Sequence, residues 1–116
     1  MRPVDVVVPV YTGVEETRRC LETAWATIDS EWARLVVIND GSPDPAITTL
    51  LREFAASHPG VVLLENPENL GFVATANRGM QYDTERDALL LNSDVEVAND
   101  WLQRMREAAY YHPKAG

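Results

Sequence analysis

Two carboxylates follow directly on an apolar run in Leu89-Leu90-Leu91-Asn92-Ser93-Asp94-Val95-Glu96-Val97. Three successive leucines suit a strand buried on both faces of a parallel sheet, and such sheets hold their ligands outside the carboxyl ends of the strands. Asp94 therefore stands where a ligand would sit. If the chain stays extended, Asp94 and Glu96 project to one side, because side chains alternate with a period of two, and both reach one cation. The plainer alternative is an ordinary strand exit with solvated acids. What separates the two readings lies upstream, where Tyr11, Asp40 and Asn69 also stand just after apolar runs.

The elements that must position these residues are legible in order. Asp5-Val6-Val7-Val8-Pro9-Val10 is a short β-branched run ended by a proline, and reads as a buried strand. Thr12 and Glu15 are spaced as a capping box, and Val14, Thr17, Cys20, Leu21, Ala24, Trp25 and Ile28 recur at helical spacing behind them. Leu35-Val36-Val37-Ile38 is a second strand, followed by a turn in which Asp44 caps a helix beginning at Pro45. Ile47, Leu50, Leu51, Phe54 and Ala55 mark the buried face of that helix, and Val61 to Leu64 form the third strand. Val73, Ala76, Asn77 and Met80 suggest a third helix with a narrow apolar face. Ala88 to Asn92 is the fourth strand, and Asn99 caps a last helix that turns Trp101, Leu102, Met105 and Ala109 inward.

Strands alternating with helices predict parallel pairing and an α/β sandwich with helices on both faces. At 116 residues the chain is one domain, able to bury about two thirds of its unfolded surface. Eighteen acidic against ten basic residues give a formal charge of −8, which argues against nucleic acid or an anionic membrane as partner. No stretch is long and apolar enough to target or span a membrane. Cys20 falls within a helical apolar pattern and reads as core. The tryptophans read as core or interface packing, and His58 and His112 as helix-end residues. Because the chain stops after a helix, where a further strand would normally follow, a fragment of a longer domain is expected.

In a sheet of order 3-2-1-4 the switch point falls between the first and fourth strands, with Tyr11 and Asp94 on either side of one crevice. An aromatic, a carboxylate that accepts from a base or ribose, and an acid for a metal suit a nucleoside diphosphate. The glycine-rich phosphate cradles are missing, and basic residues are not clustered at these strand ends. A diphosphate about 4 Å from a carboxylate suffers repulsion of order 4 kcal/mol per charge pair at an effective dielectric near 20, so an acidic crevice needs a divalent cation.

These residues resemble the family 2 glycosyltransferases, nucleotide-diphospho-sugar transferases of GT-A fold, over the whole chain. Val7-Val8-Pro9-Val10-Tyr11 looks like the family's opening strand and loop, and Val37-Ile38-Asn39-Asp40-Gly41-Ser42 like its base-binding strand end. Asn69-Leu70-Gly71-Phe72 is similar to its third-strand loop, and Leu91-Asn92-Ser93-Asp94 to its metal motif. The resemblance implies that Pro9 and Tyr11 line a nucleotide pocket, that Asp40 bonds the base, and that Asn69, Gly71 and Ser93 lie beside the nucleotide. It also implies that Asp94 binds Mg²⁺ or Mn²⁺ bridging the diphosphate. Two positions depart from the family. Asn92 stands where many members carry an acid, which divides metal binding among Asn92, Asp94 and Glu96. Ala76 stands where many carry arginine, which leaves Arg78 as the substitute positive charge for the nucleotide.

The resemblance further implies an inverting transfer from a UDP-, dTDP- or GDP-linked sugar to a saccharide or lipid-linked acceptor. The catalytic base then lies beyond Gly116, and the location is cytoplasmic, with contact to the cytoplasmic face of a membrane through parts outside this chain. A non-catalytic nucleotide-binding or protein-interaction module of the same fold is the alternative. A metal-dependent nucleotidyltransferase is disfavoured, since no glycine- and lysine-rich loop follows Val10. Each residue also has a plainer role: Tyr11 covering a core edge, Asp40 capping its own turn with Gly41 and Ser42, Asn69 and Gly71 as turn chemistry. If Asp40 bonds the base, Asp40→Ala weakens nucleotide binding by about 1–3 kcal/mol and leaves folding largely intact.

Overall fold

The computed structural model describes residues 2–98 and 101–104. Through residue 90 strands and helices alternate: β1 (Val4–Val10), α1 (Val14–Thr27), β2 (Ala33–Asn39), α2 (Pro45–Ser57), β3 (Val62–Glu65), α3 (Phe72–Met80) and β4 (Asp87–Leu90). The strands form one parallel sheet of order β3-β2-β1-β4, as the alternation of strand and helix predicts. The central strand β1 is buried along its whole length, since it has a neighbour on each edge and helices on both faces. Val6, Val8 and Val10 face α1 and α2, where they pack with Cys20, Leu21, Ala24, Ile47, Leu51 and Phe54. Val7 faces the opposite way, with Val36 and Ile38, toward α3. Trp25, Trp32 and Trp101 are partly buried against the larger cluster, as core packing requires. His58 ends α2 and stacks on Phe54 at 3.9 Å, so it is a helix-end residue.

Helix starts follow the sequence in one case and correct it in another. Asp44 caps α2 as read, its carboxylate accepting from the Ala46 N–H at 2.9 Å, with Pro45 in the first turn. The capping box at Thr12 and Glu15 does not form. The N-cap of α1 is Gly13, in the left-handed region at φ 85°, and it is Glu16 that folds back: a Cβ on Gly13 would lie 2.9 Å from the Glu16 Oε2.

The third helix corrects a second expectation. Ala76 is buried as read, but Val73, Asn77 and Met80 are exposed, Val73 to 72%, and Thr75 and Gly79 are buried instead. The reason is close approach: a Cβ on Gly79 would fall 2.3 Å from the Val7 Cγ1 and 2.5 Å from the Ile38 Cδ1. Only small residues fit that interface.

β4 is shorter than read. Its pairing with β1 ends at Val7↔Leu90, and a last bond runs from the Leu91 N–H to the Val7 carbonyl at 2.9 Å. The chain then bends, with Ser93 and Asp94 in a turn whose Val95 N–H donates to the Asn92 carbonyl at 3.2 Å. Period-two alternation therefore stops before Asp94. Trp101 and Leu102 turn inward as expected, while Asn99, Met105, Ala109 and the following residues lie outside the described range.

Candidate functional site

At the carboxyl edge of the sheet the four strand ends surround an open cleft of about 620 Å³. β1 contributes Pro9 and the Tyr11 that follows it, β2 leads to Asp40, and the β3–α3 loop supplies Asn69 and Gly71. Asn92, Ser93 and Asp94 close the side after β4. Eight of the ten residues singled out from sequence thus meet in one place. The cause is topological: parallel strands send all their carboxyl ends the same way, and the change of winding direction at β1 and β4 parts the adjoining loops. Tyr11 is 42% exposed and lines the cleft.

The other two do not line the cleft. Glu96 lies beyond the turn, and its carboxylate meets the exposed Arg19 of α1 at 3.8 Å; the extended geometry that put it beside Asp94 is absent. Arg78, in the last turn of α3, donates to the Asn66 side-chain oxygen and so braces the loop beneath the site. Sequence reading missed Thr12, Glu16 and Phe72 on the cleft wall, and the buried Asn66 and Thr75 behind it. Glu16 carries a detectable signal, as the third residue after a left-handed glycine at a helix start. Asn66 carries none, since its partners lie far away in sequence.

Asp40 is the best-held group in the site. Although only 4% exposed, its carboxylate accepts four hydrogen bonds. The Leu70 N–H (2.8 Å) and the Asn66 amide (3.0 Å) reach Oδ1, and the Asn69 amide (2.9 Å) and the Gly71 N–H (3.2 Å) reach Oδ2. Burial works against its charge, but these donors, led by the Leu70 N–H and the Asn66 amide, outweigh it and hold the carboxyl below its ordinary range. The turn after β2 is capped by a neighbour instead: the Asn39 side chain accepts from the Ser42 N–H at 2.9 Å. Asp40 reaches across to the next loop. Asn66 completes the brace by donating to the Thr75 hydroxyl at 3.0 Å. Backbone contact locks the same two loops, because a Cβ on Gly41, at φ 60°, would lie 2.3 Å from the Glu68 carbonyl carbon. A carboxylate has about four lone-pair positions, and here all four have protein donors.

Among the described residues three carboxylates, those of Glu16, Asp40 and Asp94, line the cleft, and no lysine or arginine does. Among the described residues no cluster of three or more His, Cys, Asp or Glu is arranged to hold a metal by itself. The exposed Asp94 lines the cleft together with Asn92, and a carboxylate with an amide oxygen makes a partial oxygen donor set. Such a set suits a hard divalent ion that takes its remaining ligands from phosphate and water.

Comparison with known proteins agrees with this geometry. The model of glycosyl transferase family 2 matches residues 5–116. Glycosyltransferase AglE of Haloferax volcanii is 26% identical over 102 residues, which are 87% of this chain and 33% of that protein. The mannosyltransferase PcManGT from Pyrobaculum calidifontis, solved with GDP-Man and Mn²⁺, superposes with a TM-score of 0.83 at 23% identity, over 94% of this chain and 33% of that one. GalNAc-T7, solved with UDP, GalNAc and Mn²⁺, gives a TM-score of 0.76 at 21% identity over 87% and 20%. This chain spans about a third or less of the length of these proteins. It belongs to glycosyl transferase family 2, with the four-stranded parallel sheet of the amino-terminal part of a GT-A fold.

Proposed function

We propose that this chain is the donor-binding part of an inverting glycosyltransferase that takes a nucleotide-diphospho-sugar together with Mg²⁺ or Mn²⁺. The observation that carries the reading is the charge of the cleft: among the described residues, three carboxylates and no lysine or arginine line the place where four strand ends converge. A diphosphate enters such a cleft only with a cation that reverses the local sign. The structural neighbours solved with GDP-Man or UDP and Mn²⁺ support this choice of ligand. A divalent ion held there by Asp94 and Asn92 would supply positive charge to offset that of the diphosphate leaving group.

In this reading Asp94, aided by Asn92, holds the ion, and the exposed Tyr11 ring stacks against the base beside Pro9. Asn69 and Gly71 form the opposite wall, with Ser93 next to the diphosphate. Asp40 serves the pocket first by fixing that wall, because a base N–H would be a fifth donor to a filled carboxylate. The acceptor is a saccharide or lipid-linked hydroxyl, deprotonated by a carboxylate outside this chain. The location belonging to this reading is cytoplasmic. Titrating UDP, dTDP, GDP and CDP with and without Mn²⁺ tests it: at least one should bind more tightly with the metal. Metal-independent binding, or none, would instead favour a non-catalytic module of the same fold.

A further inference from the structure

The turn that carries Asp94 lies outside the sheet, so something else must hold it. Beyond Leu91, α1 supplies bonds to this segment. Cys20 donates from Sγ to the Asn92 carbonyl at 3.4 Å, and the Val97 N–H donates to the Thr23 hydroxyl at 3.1 Å. Farther along, the Trp101 indole N–H donates to the Thr27 hydroxyl at 2.7 Å. Positions 20, 23 and 27 follow the i, i+3, i+7 spacing of one helical stripe.

The chemistry of the two threonines explains why they suit this work. A hydroxyl has one proton and two acceptor positions. Thr23 gives its proton to the Arg19 carbonyl at 2.8 Å and Thr27 gives its own to the Thr23 carbonyl at 2.6 Å. Each oxygen is thereby turned with a lone pair outward, ready to accept an N–H from the passing segment. The Asn92 carbonyl receives both the Cys20 thiol and the Val95 N–H, so the first residue of the Asp94 turn is held from the helix and from within. The Arg19–Glu96 pair adds little, because both side chains are more than half exposed.

We propose that Thr23, with Cys20 and Thr27 on the same stripe, is a positioning residue that sets the direction of Asp94 into the cleft. This rests on the reading of Asp94 as the metal ligand. Groups that orient a metal ligand typically account for 10- to 100-fold in metal affinity. Thr23 acts one turn away from the ligand, so about tenfold is expected.

The test compares UDP and GDP affinities of the full chain with and without Mn²⁺, alongside amide exchange of the Val97 N–H. Thr23→Val should leave the metal-free affinity unchanged, cut the Mn²⁺ enhancement about tenfold, and speed exchange at Val97 while the β4 amides stay protected. Thr23→Ser, which keeps the hydroxyl, should behave as wild type. Equal loss with and without metal would mark Thr23 as merely structural and overturn the proposal, as would an undiminished enhancement or failure of the serine to restore it. If Thr23→Val does not fold, Cys20→Ala enters the affinity comparison in its place: a cut in the Mn²⁺ enhancement with metal-free affinity unchanged supports the proposal, and equal loss with and without metal or an undiminished enhancement overturns it. The two levels separate cleanly. Absence of any Mn²⁺ enhancement in wild type sinks the metal reading together with this proposal, whereas enhancement that is lost in Asp94→Asn but kept in Thr23→Val sinks this proposal alone.

Discussion

The two edges of the sheet treat buried charge in opposite ways. At the amino edge, Asp5 is 2% exposed and is met by Arg34 Nε at 2.8 Å and Arg86 Nε at 2.5 Å, with Asp83 balancing Arg34 at 3.2 Å. The Asp5 hydrogen bond is the main reason that the Arg34 pKa is raised. At the carboxyl edge, Asp40 is almost as deeply buried but is satisfied by neutral N–H donors, and Glu16 and Asp94 share the cleft with no cationic side chain lining it among the described residues. One edge neutralises its own charge; the other keeps a net negative potential. An edge that is neutral within itself is costly to break, because removing one partner leaves buried charge uncompensated, and one left charged is suited to a ligand of opposite sign.

The strongest way to break this comparison is at Asp5. Asp5→Ala leaves two arginines facing a buried space, so it should destabilise the fold by about 3–5 kcal/mol, read as a lower urea midpoint. Nucleotide affinity of the remaining folded protein should not change. Were affinity to fall with stability intact, the amino edge would not be purely structural.

Asp40→Ala should come next. Removing one acceptor from four donors costs about 2–3 kcal/mol of stability and also loosens the Asn69–Gly71 wall, so both the urea midpoint and nucleotide binding should drop. This revises the expectation that folding survives largely untouched, because the bonds of Asp40 run to another loop. Its pH signature sharpens the contrast. The folded pKa lies below the unfolded value, which is near 3.9, so the stabilisation is fully present above that value. It is then lost as pH falls through the folded pKa. Acid unfolding of wild type, compared with Asp40→Asn, should show this loss only in wild type.

Within the cleft, Asp94→Asn should remove the Mn²⁺ enhancement and leave metal-free nucleotide binding near its original level. A tenfold enhancement corresponds to about 1.4 kcal/mol. Glu96→Gln should be the mildest change, within about 0.5 kcal/mol in stability and without effect on the metal response, since its partner Arg19 is exposed and outside the cleft. If Glu96→Gln and not Asp94→Asn abolishes the response, the ligand has been assigned to the wrong side of the turn.

Sequence by itself determined the sheet. Short β-branched runs alternating with amphipathic helices are local signals, and they imply parallel pairing; the turn residues after each strand then mark one edge as the place for a site. That was enough to bring Pro9, Tyr11, Asp40, Asn69, Gly71, Asn92, Ser93 and Asp94 together. Only the tertiary structure decided what each of them touches. Loops lack a repeating hydrogen-bond pattern, so neither periodicity nor spacing tells where a side chain points once the strand has ended. Glu96 left the site because the chain turns at Ser93 and Asp94, and Arg78 left it because Asn66 offers an acceptor behind the wall. Asp40 found its donors about thirty residues away, in Asn69, Leu70 and Gly71, a distance no local pattern spans. The small face of α3 was likewise set by how closely Gly79 sits on Val7 and Ile38, and closeness of packing is a property of the assembled layers.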